Sequence, residues 1–232
     1  MINLKERSYK KELLDADNIP FADIRQNMKE LNTVNSLLGG HSITITGIKE
    51  FIKPNTDISV CEIGCGGGDN MNAIANWCKK NNINASFIGI DIKRECIEFA
   101  KQQYPLLNAS WITSDYALTD LSSTKPDIIF SSLFCHHFTE AKLVYMISWM
   151  KQNSRKGFFI NDLHRHPLAY YSIKLLTSLF SRSYLVKNDA PLSVARGFKK
   201  AEWKNIFAIA GMSKYIIKWK WAFRHLIVYK HG

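Results

Sequence analysis

Short apolar runs alternate along this chain with longer segments whose apolar residues recur every three or four positions. The runs predict buried strands and read ISVCEI (58–63), ASFIGID (85–91), ASWITSD (109–115), DIIFSSL (127–133) and GFFIND (157–162). Between them lie helical patterns, as in residues 141–150, where Leu143, Met146, Ile147 and Met150 share one face. This alternation predicts an α/β domain with a largely parallel sheet, right-handed crossovers and ligands bound at the carboxyl ends of the strands.

The C-terminal end departs from this alternation. After a predicted helix at about 199–210, the segments SKYIIKWKWAF and RHLIVYK follow each other with no helix between them. In the first of these, Tyr215, Ile217, Trp219 and Trp221 alternate with Lys218 and Lys220, which is the pattern of a strand with one solvated face. Two consecutive strands form a hairpin, so we expect an antiparallel strand near this end of the sheet.

Two helical segments flank the predicted sheet. Residues 20–51 read as one helix ended by Gly39 and Gly40, followed by a second helix. An insertion at about 163–198 is long for a compact domain and is therefore expected to be functional. It contains a helix with these apolar residues on one side: Leu168, Tyr171, Leu175, Leu176 and Leu179. Together the two segments predict an apolar lid.

The domain organisation follows from these patterns and from the length of 232 residues, which suits one α/β domain with a full core. Residues 1–55 are expected to form a helical N-terminal extension. Residues 56–232 are expected to form the ligand-binding domain and to include the insertion.

A glycine-rich turn follows the first strand, in the stretch DISVCEIGCGGGDN. Gly64, Gly66 and Gly68 stand at alternate positions, and glycine lets the backbone turn tightly and approach a ligand. A dinucleotide site would need a sixth-position glycine where Asp69 stands, and the lysine of a phosphate-binding GxxxxGK[ST] loop is absent. An acid at this helix entrance favours a ligand that is cationic or zwitterionic there.

This turn resembles the first motif, ExGxGxG, of the class I S-adenosylmethionine (SAM)-dependent methyltransferases of the small-molecule type, matched by residues 62–68. The resemblance extends from about residue 40 onward. It implies SAM as cofactor and a doubly wound seven-stranded sheet, mostly parallel with an antiparallel C-terminal hairpin strand. The N-terminal helices and the helical insertion would complete that α/β fold as a lid.

The resemblance also implies roles for strand ends. Asp91 would accept both ribose hydroxyls, although it could equally cap the helix that begins near Lys93. Asp115 would meet the adenine amino group, unless it serves only a local turn. Arg25 would bind the SAM carboxylate, with His41 or Ser42 beside it, or else lie on the surface. The expected cofactor-binding residues are Glu62, Gly64, Cys65, Gly66, Asp69, Asp91, Ile92, Ser114, Asp115, Tyr116, Ser131 and Arg25, with Ser132 and Leu133 near the methionine end.

Histidines near two strand ends are candidates for a general base. Methyl transfer from a sulfonium depends on alignment and a dry pocket, and a phenol or enol acceptor must also lose a proton. Histidine suits that role near neutral pH. His137 is the first candidate and resembles a histidine that small-molecule methyltransferases carry after the fourth strand. The other candidates are His164, with Asp162 as orienting partner, His136 and His166.

The amino-acid composition indicates the cellular environment in which the protein works. The five cysteines do not form a disulfide pattern, and a reducing cytoplasm is expected. Cys61 and Cys65 have near-metal spacing without a second pair, so packing is the favoured role and no metal site is expected. No signal peptide and no apolar run of transmembrane length is evident.

The sequence defines the methyl acceptor less narrowly than it defines the cofactor. A net charge of +11 raises the alternative of an rRNA or tRNA methyltransferase. Scattered lysines, the segment SSLF after the fourth strand and the apolar lid favour a small hydrophobic acceptor instead, namely a phenol, quinone precursor or alkyl polyketide methylated on oxygen or carbon. The segment NDLHRHP resembles one in bacterial methyltransferases of polyketide-type biosynthesis.

Two further possibilities follow from the same features. A basic surface beside an amphipathic helix suits peripheral association with an anionic membrane. A SAM-binding protein without catalytic activity is the alternative from another functional class.

Overall fold

A computed structural model describes residues 3–52 and 56–232 of the chain. Its helices are α1 (Phe21–Leu37), α2 (Gly40–Lys49), α3 (Asp69–Lys80), α4 (Arg94–Gln103), α5 (Glu140–Asn153), α6 (Pro167–Phe180), α7 (Tyr184–Arg196) and α8 (Lys200–Ile209). Its strands are β1 (Ile58–Ile63), β2 (Ala85–Asp91), β3 (Ala109–Thr113), β4 (Ile128–Ser132), β5 (Gly157–Leu163), β6 (Tyr215–Lys220) and β7 (Arg224–Lys230). The predicted boundary after residue 55 lies outside the described residues and stays a prediction.

The seven strands form one sheet in the order β3-β2-β1-β4-β5-β7-β6. The pairs among β1 to β5 are parallel, whereas β7 is antiparallel to both of its neighbours. This confirms the predicted doubly wound α/β fold with a C-terminal hairpin. The chain direction across the sheet reverses between β1 and β4, and ligands of such sheets bind at the carboxyl ends of the strands beside that reversal.

Helices cover both faces of the sheet. On one face, α5 and α8 bury Leu143, Ile147 and Trp203 among the side chains of β4 and β5. On the other, α2, α3 and α4 bury apolar residues that include Ile48 and Ile74. Because both faces are covered, the central strands are apolar on both sides, which explains their unbroken apolar runs.

The predicted break at Gly39 and Gly40 is present between α1 and α2, and Gly39 has the positive φ of 73° that ends helices at glycine. The insertion folds as two helices, α6 and α7, so the predicted helix is accompanied by a second. The lid is completed by residues 4–15, which we call the N-terminal strap. Backbone N–H groups of Leu13 and Leu14 donate to the carboxylate of Asp189 on α7 and hold the strap in place.

The orientation of α6 differs from the expectation. Its side facing the cavity described below carries Ala169, Ile173 and Leu176. The other members of the predicted apolar face, Leu168, Tyr171, Leu175 and Leu179, are exposed. The reason is that α6 is apolar on two sides, and only one side can face the cavity.

Candidate active site

A cavity of about 940 Å³ opens at the carboxyl ends of β1, β2 and β4. It lies near the upper end of the roughly 300–1,000 Å³ typical of ligand pockets, which leaves room for a cofactor and a second molecule. Its wall includes apolar side chains from α1, α6 and α7, namely Met28, Leu31, Val34, Ile173, Leu176, Val186 and Val194. The glycine turn and the histidines after β4 line the same space.

The glycine turn is shaped by backbone conformation and close packing. Gly64, Gly66 and Gly68 all have positive φ values, of 68°, 49° and 78°. A Cβ on Gly64 would stand 2.3 Å from the ring of Phe134, so this position has no room for a side chain. Glycine is therefore required here for both conformation and space.

Asp91 joins the end of β2 to this turn. One carboxylate oxygen accepts a hydrogen bond from the backbone N–H of Gly66 at 2.8 Å, and the other accepts from the N–H of Lys93 at 2.9 Å. The two readings of Asp91 are thus compatible, because it holds the turn before α4 and also lines the cavity. Burial raises the pKa of this carboxyl, while the two backbone N–H groups act against that rise.

Glu62 lies on the floor of the cavity at the end of β1 and is 1% exposed. Its Oε1 accepts from the side-chain amide of Asn70 at 3.2 Å, whereas its buried Oε2 has no partner among the described residues. Burial, followed by the nearby charge of Asp69, raises the pKa of Glu62 well above its ordinary value. A ligand donor such as an ammonium group would satisfy the unpaired oxygen and favour the ionised form.

The end of β3 forms another part of the wall. Ser114, Asp115 and Tyr116 all line the cavity, and Asp115 also accepts from the N–H of Ala117 at 3.0 Å. Asp115 therefore supports a local turn and reaches the cavity at once. Ile92, Cys65 and Asp69 complete this part of the predicted cofactor set at the cavity wall.

The structure does not bring Arg25 or Ser131 to the cavity. Arg25 is exposed on α1, where its guanidinium lies 5.9 Å from the ring of Phe21. Ser131 is fully buried, and its hydroxyl is 3.6 Å from the sulfur of Cys135. The physical reason in both cases is side-chain direction, which sequence position alone does not give. Ser132 and Leu133 do line the cavity, as expected.

Arg224, at the start of β7, is a cavity residue that the sequence reasoning missed. It is 2% exposed, its Nη2 donates to Asn35 Oδ1 at 3.2 Å, and its Nε and Nη1 have no partner among the described residues. Asn35 Nδ2 in turn donates to Asp69 Oδ2 at 3.2 Å, which connects Arg224 to the glycine turn. Burial lowers the pKa of Arg224 to about 10, so it remains a cation at neutral pH.

His136, in the turn after β4, is paired with Asp162 of β5. Its Nδ1 lies 2.8 Å from Asp162 Oδ1, and its Nε2 lies 3.6 Å from Oε1 of Glu12. Burial alone would lower the pKa of His136, but the charge and hydrogen bond of Asp162, together with Glu12, outweigh it and raise that pKa to about 9. His136 is therefore a cation at neutral pH and cannot accept a proton there.

His137 is the histidine whose position fits a base. It lines the cavity with 22% of its side chain exposed. Its Nδ1 lies 3.3 Å from Asp15 Oδ1 and its Nε2 lies 3.7 Å from Glu12 Oε2. When Nδ1–H donates to Asp15, Nε2 carries the lone pair that can take a proton.

Glu12 and Asp15 come from the N-terminal strap and were missed in the sequence. They stand more than a hundred residues from His136 and His137, in a charged stretch whose pattern carries no sign of a buried site. Arg7 of the strap donates to the backbone oxygens of Arg196 and Phe138, at 2.9 and 3.0 Å. These long-range contacts, which no local pattern records, bring the strap over the cavity.

His164 and His166 are placed elsewhere. His164 accepts from the indole N–H of Trp219 at 3.3 Å and lies outside the cavity lining. His166 caps α6 by accepting from the N–H of Leu168 at 3.2 Å. Asp162, the expected partner of His164, pairs with His136 instead, because β5 ends at Leu163 and His164 lies beyond the strand.

One donor set bears on the expectation of no metal site. Glu12, His136 and His137 each offer one donor atom, and these atoms lie within 4.8 Å of one another, a spacing that a cation could bridge. A histidine must be neutral to bind a metal. The raised pKa of His136 therefore works against metal binding near neutral pH.

The sequence of this cavity region has known relatives. Residues 60–157 match the family described as "Methyltransferase domain". Over these residues the chain is similar to that family. The matched segment runs from β1 to the start of β5 and includes the glycine turn, Asp91 and both histidines of the turn after β4. It confirms the predicted resemblance to class I SAM-dependent methyltransferases, and with it SAM as the predicted cofactor.

A curated relative supports the same class. The chain is 27% identical over 133 residues to the mitochondrial ubiquinone biosynthesis O-methyltransferase of Saccharomyces cerevisiae. That alignment covers 54% of this chain and 41% of the yeast protein, so the chain spans less than half the length of that relative.

Solved structures share the overall fold of this chain. The plantazolicin methyltransferase BpumL in complex with SAH matches with a TM-score of 0.63 at 15% identity, covering 90% of this chain and 88% of that one. Human N-acetylserotonin methyltransferase in complex with SAM matches with a TM-score of 0.63 at 15% identity, covering 92% of this chain and 57% of that one. At these identities the likeness establishes the fold. Among the described residues, no helix is both long and apolar enough to cross a membrane.

Proposed function

We propose that this chain transfers the methyl group of SAM to an oxygen or carbon of a small apolar acceptor, such as a phenol, a quinone precursor or an alkyl polyketide. The observation that carries this proposal is a single cavity that joins the cofactor-type residues, an apolar lid and the His137 cluster. The yeast relative, named as an O-methyltransferase of ubiquinone biosynthesis, supports the O-methylation of a phenol-like acceptor.

The residues at the cavity fit SAM by their unsatisfied polar atoms. SAM has ribose hydroxyls, a sulfonium and a zwitterionic amino acid group. Asp91 can accept from the hydroxyls, because each of its oxygens takes only one hydrogen bond from the backbone. The unpaired Oε2 of Glu62 suits the ammonium group.

Arg224 suits the carboxylate of the same zwitterion, in place of Arg25. A buried guanidinium with two unpaired donor atoms is unfavourable until an anion pairs with it. A carboxylate accepts charge-assisted hydrogen bonds from guanidinium N–H groups, and either unpaired nitrogen of Arg224 can donate one. The link from Arg224 through Asn35 to Asp69 of the glycine turn supports a position beside the methionine end.

The chemistry divides between cofactor and protein. Bound SAM would supply an electrophilic methyl group for in-line attack, with a neutral thioether as the leaving group. The apolar walls from α1, α6 and α7 exclude water and align the acceptor, from which much of the rate acceleration comes. His137 Nε2 takes the proton of the acceptor hydroxyl or enol. Glu12 and Asp15 then stabilise the imidazolium, and the fixed His136–Asp162 pair holds the turn on which His137 lies.

The test is incubation with methyl-labelled SAM and a cell extract, followed by separation into organic, RNA and protein fractions. Label in the organic fraction is expected, and it should appear much more slowly when the His137→Ala variant replaces the wild type. Label confined to RNA would support the rRNA or tRNA alternative. Tight SAM binding in calorimetry without label in any fraction would indicate a binding protein without catalytic activity.

A further inference from the structure

We propose that the outer side of α6 and the two exposed tryptophans at the β6–β7 turn form a docking surface for an anionic lipid bilayer. The inference extends the proposed function, because it states where an apolar acceptor is collected. Its first basis is the side of α6 that faces away from the cavity. Large apolar residues there are between 52% and 77% exposed, namely Leu168, Tyr171, Leu175, Leu179 and Phe180.

The spacing of these residues makes one continuous face. Positions 168, 171, 175 and 179 are separated by three or four residues and therefore lie above one another on the helix. A folded protein in water rarely leaves such a face uncovered without a binding role. Helices with an apolar side of this kind lie in the interfacial plane of bilayers, with the apolar side in the acyl boundary.

The face continues to the β6–β7 turn through stacked rings. His166, just before α6, stacks on Phe223 with 4.8 Å between ring centroids, and Phe223 meets Trp219 edge to face at 6.1 Å. Trp219 is 54% exposed and Trp221 is 72% exposed, and both also line the cavity. Tryptophan favours the headgroup level of membranes. The surface therefore reaches the cavity itself.

The charge distribution selects an anionic partner. Residues 163–232 contain 13 Lys and Arg against 2 Asp and Glu, whereas residues 1–162 contain 18 of each. The whole net charge of +11 thus lies in the part of the chain that carries α6 and the tryptophans. Lys174 on α6, Arg182 between the helices and Lys187 on α7 are exposed, and no acid occurs between residues 163 and 188. Each basic group near an anionic bilayer contributes about 1 kcal/mol of attraction.

A bilayer fits these features better than RNA does. RNA binding would use basic groups with aromatic stacking, and the aliphatic residues Leu168, Leu175 and Leu179 add nothing to it. A bilayer uses both the aliphatic face and the basic flank. It also dissolves the class of acceptor that the apolar cavity suits.

The experiment is co-sedimentation of the whole chain with vesicles of phosphatidylcholine, alone or mixed with phosphatidylglycerol, in the absence of any methyl acceptor. At least tenfold stronger binding to the anionic vesicles is expected. The variant Leu175→Glu/Leu179→Glu should lose at least tenfold of that binding. The matched control is Leu106→Glu, since Leu106 is 98% exposed in the loop before β3, at the opposite edge of the sheet, and should bind as the wild type does.

Folding and charge are controlled separately. Circular dichroism and SAM calorimetry should show that the double variant is folded, and Lys174→Glu/Arg182→Glu should weaken anionic binding where Lys79→Glu/Lys80→Glu on α3 does not. Equal binding of the wild type and the Leu175→Glu/Leu179→Glu variant would overturn the proposal. The proposal would also be overturned if the wild type were a dimer, the Leu175→Glu/Leu179→Glu variant were a monomer, and neither protein bound vesicles. Methyl transfer to an acceptor dissolved in detergent requires no vesicle. A protein that binds no vesicles can therefore still show the proposed activity, so the two proposals can fail independently.

Discussion

His136 Nδ1 and Asp162 Oδ1 lie 2.8 Å apart, with both side chains almost completely removed from solvent. This pair connects the turn after β4 to β5 at the point where His137 enters the cavity. This pair makes the stability of the fold depend on pH, because the folded-state pKa of His136 is raised from 6.5 to about 9.

The stability of the protein should therefore fall on the alkaline side. A group with a raised folded-state pKa stabilises the fold fully below its unfolded pKa, and the contribution is lost as the pH rises through the folded value. We expect the free energy of unfolding to fall by on the order of 3 kcal/mol between about pH 6.5 and pH 9.5. Urea unfolding at a series of pH values measures this, and His136→Gln should flatten the profile. An imidazole NMR titration of His136 with a midpoint near 6.5 would contradict it.

The base hypothesis predicts separate effects on turnover and binding. His137→Ala should lower kcat about 10²–10⁴-fold, because the acceptor loses its proton acceptor. SAM affinity should change little, since the predicted contacts to SAM lie elsewhere in the cavity. His164→Ala, which lies outside the cavity, is the matched control and should retain the wild-type rate. Unchanged turnover in His137→Ala would remove the assignment of the base.

The proposed contact between Asp91 and the ribose hydroxyls predicts a loss of cofactor affinity when Asp91 is replaced. Asp91→Ala should weaken SAM binding by about 10–100-fold, because hydrogen bonds to a charged group contribute about 1.5–3 kcal/mol. The Gly66 N–H would also lose its acceptor. Isothermal titration calorimetry measures the effect. Asp120→Ala, an exposed carboxylate in the loop after β3, should bind SAM as the wild type does, and equal affinities in the two variants would argue against the contact.

Arg224 predicts a change in ligand discrimination. Arg224→Met should weaken SAM binding by at least about tenfold while leaving the affinity for methylthioadenosine, which has no carboxylate, nearly unchanged. Arg25→Met, exposed on α1, is the control for a general loss of positive charge. A parallel loss of affinity for both ligands would show that Arg224 supports the fold of the cavity rather than the carboxylate.

Metal removal should have no effect on methyl transfer. The protonated His136 leaves the set of Glu12, His136 and His137 without one of its donor atoms at neutral pH. We expect dialysis against EDTA to leave turnover and melting temperature unchanged. Added Zn²⁺ should not show saturable binding of one ion per chain. A rate that falls with EDTA and returns with a divalent ion would overturn this prediction.

Much of the fold follows from the sequence because its central strands are buried on both faces and therefore appear as unbroken apolar runs. The closely spaced glycines after the first strand also indicate a tight turn at a ligand site. The alternation of apolar runs and helical patterns predicts the sheet, and the lack of a helix after Lys214 predicts the hairpin. Asp91 and Asp115 both line the cavity, because strand ends meet at one edge of a parallel sheet, and their contacts with the cofactor stay predictions.

The remainder depends on contacts between distant parts of the chain. Arg25 was expected at the cofactor and lies outside, whereas Arg224, near the other end of the chain, points in. Glu12 and Asp15 reach the histidines only because the strap is held by Asp189. The direction in which α6 turns its two apolar sides is likewise set by α7 and the cavity and not by helical periodicity.

The N-terminal strap separates two tasks that one cavity performs. The glycine turn, Asp91 and Arg224 all belong to the chain after residue 56, whereas both carboxylates beside His137 precede residue 16. A chain shortened to begin at residue 18 would therefore keep its grip on the methyl donor while its base stands without counter-ions. Under the proposed function, binding of the methyl donor and proton transfer depend on different segments of the chain, and the active site is complete only when the strap packs over the cavity.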